Sequence, residues 1–152
     1  MSLSSILPSF DAFACVGGLA LLAYVPHALK VYYVTKETGK YGTRNPRETV
    51  KKSIEQIGAD KPAAKLIARL DSCHANHLEQ FPIVAACVLM ASVAGVDRAS
   101  IDFVATQIAL TRLAHFLFYY GDMNALRPLA FALSMCLEGY LFVKAAAAHR
   151  AH

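Results

Sequence analysis

Four apolar runs, at 10–34, 74–94, 101–120 and 125–148, dominate the chain, and one polar stretch, about 35–73, separates the first from the others. Crossing a bilayer as a helix takes about 20 mostly apolar residues, because every backbone group must be bonded within the segment. Each run has about that length. A soluble helical protein would instead spread charge along one face of every helix. Here only 17% of the 152 residues are charged and 56% are apolar. The expected fold is therefore all-α: a four-helix transmembrane bundle forming a single membrane domain over 1–152.

The turns at 96–100 and 121–124 are short, which makes neighbouring helices antiparallel. Pro26 is expected to kink the first span, and Tyr24, Tyr32 and Tyr33 suit an interfacial belt. Residues 1–10 lack the positive start of a cleavable leader, so the first run is expected to remain as a span.

Nine of the fifteen Lys and Arg lie between Lys36 and Arg69. They are mixed with acids, and only Tyr41 is there to supply an aromatic surface, so no nucleic acid is expected as a partner. The bias instead reads as a cytosolic loop. Four spans then place both termini on the opposite side, with the turn 121–124 on the cytosolic side. Within the loop, 49–56 suits a short amphipathic helix, and 63–71 extends the second span. The membrane is an endoplasmic reticulum or other endomembrane in a eukaryote, and the inner membrane in a bacterium.

Ionisable groups inside a span are costly and are rarely without purpose. Asn76 and Glu79, three apart, share a helix face, with His74 near it. Arg112, His115 and Tyr119 follow spacings of three and four, and Arg127 opens the last helix. Such a set is either a packing network, with Glu79 and Arg112 as a structural ion pair, or a ligand site. A transport path is a third reading, although four helices leave little room for one. Glu138 stands apart and reads as a packing hydrogen bond. His149 and His152 read as solvated.

His74, His77 and His115 raise the question of metal or haem. No second helix offers a matching motif, and no metal is expected. Cys15, Cys73, Cys87 and Cys136 form no CxxC pair and read as buried free thiols.

The stretch from Arg69 through Asp71, Ser72, Cys73, His74, Asn76, His77 and Glu79 to Pro82 resembles the second-helix signature of the membrane-associated proteins in eicosanoid and glutathione metabolism, the MAPEG family. The segment Arg112, His115, Tyr119, Tyr120, Gly121, followed by Leu126 and Arg127, is similar to that family's third helix, its following turn and the start of its fourth. Asn45-Pro46-Arg47-Glu48 resembles a piece of its cytosolic loop. The resemblance implies a homotrimer in membrane lipid, with glutathione as cosubstrate bound between subunits near the cytosolic side. It implies that Asn76 and Glu79 hold the peptide's polar ends, with His74 close by. Arg112, His115 and Tyr119 would line the neighbouring wall, and Arg127 would be the catalytic group beside the sulfur. It implies a transferase or peroxidase acting on lipophilic small molecules, or alternatively a non-catalytic lipid-binding or scaffold member. Two departures bear on activity. Ser72 stands where many members carry a second arginine, and Pro128 stands where several carry serine.

Overall fold

The structure, a computed structural model, describes residues 9–151. The expectation for residues 1–10 therefore falls largely outside the described residues, and that for His152 wholly so. Five helices and no strand occur among them: α1 (Ala12–Thr38), α2 (Pro46–Ile57), α3 (Pro62–Val93), α4 (Arg98–Tyr120) and α5 (Leu126–His149).

Three of these, α1, α4 and α5, are long and apolar enough to cross a membrane. Helix α3 is not among them. Its 32 residues make a rod roughly 48 Å long, but His74, Asn76, His77, Glu79 and Gln80 interrupt it, leaving a continuous apolar part only from Phe81 onward.

Local chemistry sets the helix ends. The Asp11 carboxylate caps α1 by accepting from the Ala14 amide at 2.9 Å, and the left-handed Gly39 (φ 80°) ends it. Asp97 caps α4 by accepting from the amides of Ala99 and Ser100. This starts α4 at Arg98, inside the stretch 96–100 expected as a turn. Hydrogen bonding from Ser100 also holds the Asp97 carboxyl below the usual range. Pro46 at the first turn and Gly58 (φ 99°) bound α2, which runs somewhat beyond 49–56 at both ends. Helix α1 continues unbroken through Pro26. The missing Pro26 N–H deprives the Leu22 carbonyl of its partner, and at the next carbonyl, Ala23, His74 Nδ1 makes a cross-helix bond of 2.7 Å.

The helices alternate in direction. The Ala12–Leu19 end of α1 packs with Val84–Ala91 of α3, Ile101–Ile108 of α4, and Leu141 and Ala145 of α5. Small residues at these contacts (Ala12, Cys15, Cys87, Ala91, Ala105, Ala145) bring backbones close, as membrane helices require when lipid is as apolar as leucine. At this end Arg98 ties Asp11 to Asp102. At the other end Lys30, almost wholly buried, donates to Asp71 at 2.6 Å and joins α1 to α3. There Val50 and Ile57 of α2 pack on Ala64 and Ile67 of α3 and Val34 of α1. Much of the loop is thus a folded layer on the bundle rather than free chain.

Two expectations about single residues meet different outcomes. Glu138 is buried and accepts from Ser134 Oγ at 2.8 Å, one helical turn away, as a packing hydrogen bond. Of the four cysteines, all free, Cys136 is exposed rather than buried. Its face of α5 also presents Leu129, Leu133, Tyr140 and Val143 outward. A lipid-facing thiol needs no polar partner, so apolarity around Cys136 does not imply burial.

Candidate functional site

The polar residues converge at the end of the bundle where α4 turns into α5. Helix α3 supplies Asn76, whose side-chain amide donates to the Tyr119 hydroxyl of α4 at 2.8 Å. One turn before Tyr119, the His115 ring packs on it at 5.0 Å between centroids. Arg127, in the first turn of α5, lays its guanidinium 4.6 Å from the centre of the Tyr119 ring. Asn76, His115, Tyr119 and Arg127, with Asn124, Pro128 and Phe131, line one open cavity of about 360 Å³. Four of the seven residues singled out in the sequence therefore share a cavity.

The other three do not line it. Arg112 is the largest wholly buried side chain. It lies beneath the cavity, where Nη2 donates to the backbone carbonyl of Asn76 at 3.2 Å and the guanidinium approaches Phe131. It thus supports the wall from behind instead of lining it. His74 turns to α1, bonding the Ala23 carbonyl and packing near His27 and Tyr24. Glu79 is exposed on the outer face of α3 and forms no ion pair among the described residues. The structural pair Glu79–Arg112 is accordingly not formed: one carboxylate faces outward while the guanidinium faces the core.

Two residues absent from the expected site organise its rim. Asp122 adopts a left-handed backbone conformation (φ 58°), which aspartate tolerates better than most residues. Its two carboxylate oxygens accept from Arg127 Nη2 at 2.6 Å and Arg69 Nη1 at 3.0 Å. Arg69 Nε also donates to the Tyr119 carbonyl at 3.1 Å, and Arg127 Nε to the Phe118 carbonyl at 3.3 Å. The turn is thus clamped by two cations on one anion, leaving one positive charge in excess. The N-terminus of α5 adds to that field, since Ala125 offers it no side-chain cap. An Asp in a short turn between two helix-borne arginines was the signal available in the sequence.

A second cluster lies deeper. Cys73 and His77, one turn apart on α3, meet His115 of α4, and one potential ligand atom from each lies within 4.8 Å of the others. The three histidines considered together in the sequence do not gather, since His74 points to α1 and Cys73 takes its place.

Residues 13–147 match the MAPEG family, nearly the whole chain. The chain belongs to that family. Searches of curated proteins and of solved structures gave no match. As a MAPEG protein with three helices suited to a bilayer, it is a membrane protein related to glutathione and eicosanoid metabolism. The MAPEG departures also have places in the structure. Ser72 donates to the Ala68 carbonyl of its own helix at 3.1 Å, so it does not replace an arginine fork. Pro128 lies on the cavity wall and offers no hydroxyl.

Proposed function

We propose that this MAPEG protein is a glutathione-dependent transferase or peroxidase for lipophilic electrophiles, working as a homotrimer of four-span subunits. The observation that carries this reading is the cavity in which Tyr119, positioned by Asn76, meets Arg127 beside an excess positive charge. A free thiol with a pKa of about 8.5 is mostly protonated at neutral pH, and a nearby guanidinium stabilises the thiolate. Glutathione would enter with its sulfur toward Arg127. The thiolate would then attack the electrophilic atom, forming a bond to sulfur as the leaving group departs. Apolar helix faces would deliver the electrophile from lipid.

Glu79 supports a site shared between subunits. The outward carboxylate of Glu79 on α3 has no ion-pair partner among the described residues, and a neighbour's site would give it the glutathione ammonium to bind. Mass measurement in mild detergent is expected to give three copies, and a stable, well-folded monomer would refute the shared site.

The fourth crossing in this reading is the part of α3 from His74 onward, with the part before it projecting into the cytosol beside α2. A cysteine at the exposed Thr43, in a Cys136→Ser background, is expected to react with impermeant reagent only from the cytosolic side. Reaction from the opposite side alone would reverse the orientation.

A non-catalytic scaffold is the second reading. It is favoured by the engagement of Arg127 with Asp122 and by the self-bonded Ser72. Calorimetry with glutathione, followed by conjugation of a generic chloronitrobenzene, separates the two. Binding with turnover supports the enzyme, and absence of both supports the scaffold.

A further inference from the structure

Cys73, His77 and His115 are 0%, 3% and 2% exposed. Cys73 and His77 stand four apart on α3, so both project from one side of the helix. His115 approaches from α4, its ring 5.7 Å from that of His77. His77 Nε2 and His115 Nδ1 have no hydrogen-bond partner among the described residues. A buried polar atom left unpaired is destabilising, and two in one cluster suit an occupant that binds nitrogen lone pairs. Neutral imidazole and thiolate are ligands of soft and borderline transition metals.

Charge selects among those metals. Arg112, which is permanently cationic, lines a small cavity together with His77. A divalent ion on one thiolate would add a net positive charge beside that guanidinium in a low-dielectric interior. A monovalent ion on one thiolate is neutral. Thiolate ligation suits both Cu(I) and Zn²⁺, and the charge balance separates the two. With metal–nitrogen distances of about 2.0 Å and metal–sulfur distances of about 2.3 Å, the ligand atoms of such a site lie roughly 3.5 Å apart. Side-chain adjustment of about 1 Å within the 4.8 Å cluster reaches that spacing. Access is available as well, because His115 also lines the open cavity beside Arg127.

We propose that Cys73, His77 and His115 form a buried three-coordinate site for Cu(I). The site shares His115 with the wall of the cavity beside Arg127, but its test needs no turnover.

The full chain in detergent, in glutathione-free anaerobic buffer, is titrated with Cu(I) against a chromophoric chelator. One equivalent per chain is expected, and X-ray absorption should show one sulfur and two nitrogen neighbours. Cys73→Ser and His115→Gln are each expected to weaken binding at least about tenfold. Cys136→Ser should leave it unchanged. Circular dichroism and gel filtration confirm folding, and for a variant that misfolds, the absorption spectrum of the wild type decides alone. No binding, sulfur-only coordination, equal binding by folded Cys73→Ser, or tighter binding of Zn²⁺ than of Cu(I) would each overturn the proposal.

Discussion

Arg127→Ala is expected to slow conjugation of a lipophilic electrophile by at least about tenfold while leaving glutathione affinity largely intact. A charge-assisted hydrogen bond contributes about 1.5 to 3 kcal/mol, and each 1.4 kcal/mol of transition-state stabilisation is about tenfold in rate. The ultraviolet absorbance of bound thiolate should fall in parallel. Arg127→Lys retains charge but not the planar fork, so an intermediate rate is expected. The competing role for Arg127 is mechanical, because it also clamps the turn through Asp122 and the Phe118 carbonyl. Asp122→Asn separates the roles. Asparagine suits the left-handed backbone at this position, yet it removes the negative charge shared with Arg69 and Arg127. If Arg127 acts on sulfur, Asp122→Asn keeps or raises the thiolate signal while Arg127→Ala loses it. Equal loss in both variants would assign Arg127 to the clamp alone.

Arg112→Ala is expected to cause the largest loss of stability among the polar substitutions, about 3 to 5 kcal/mol. It empties the largest wholly buried side-chain volume in the bundle. It also frees the Asn76 carbonyl from its Arg112 donor. Unfolding in mixed detergent micelles, followed by circular dichroism, measures the effect. Arg112→Lys should recover only part of it, since one ammonium on a flexible stem does not reproduce the guanidinium's reach to Asn76 and Phe131. A change below about 1 kcal/mol for the alanine variant would mean that water or a neighbouring side chain replaces the guanidinium. Because Arg112 carries the Asn76 backbone, and Asn76 carries the Tyr119 hydroxyl, the same variant should also weaken glutathione binding.

The legible parts of this protein were those governed by local periodicity. Runs of apolar residues located the long helices, and the spacings of 112, 115 and 119 placed Arg112, His115 and Tyr119 along one side of α4. The amphipathic stretch 49–56 located most of α2, which the structure extends to Pro46–Ile57. The cavity of Asn76, His115, Tyr119 and Arg127 follows from stripes visible in the chain together with the family signature. Less legible was depth. Arg112 and His115 belong to the same stripe, but one lies under the cavity and the other on its wall. The difference depends on how α3 and α5 cross α4, and spacing along one helix does not encode that.

The sequence by itself determined a membrane protein of the MAPEG family, its polar layer between the first two long helices, and the residue types that converge at one end. The membrane class and the polar layer follow from composition and the helical repeat, and the family follows from the ordered signature residues around Asn76, Arg112 and Arg127, all of them written along a single strand of chain. Only the tertiary structure decided that Asp122 bridges Arg69 and Arg127, that Lys30 pairs with Asp71, and that Cys73 rather than His74 joins His77 and His115. The physical reason is that lipid and protein interior are almost equally apolar. An apolar face therefore does not announce whether it meets lipid or another helix, and the rotation of each helix is set by close packing of small residues and by a few polar contacts made across large sequence separations.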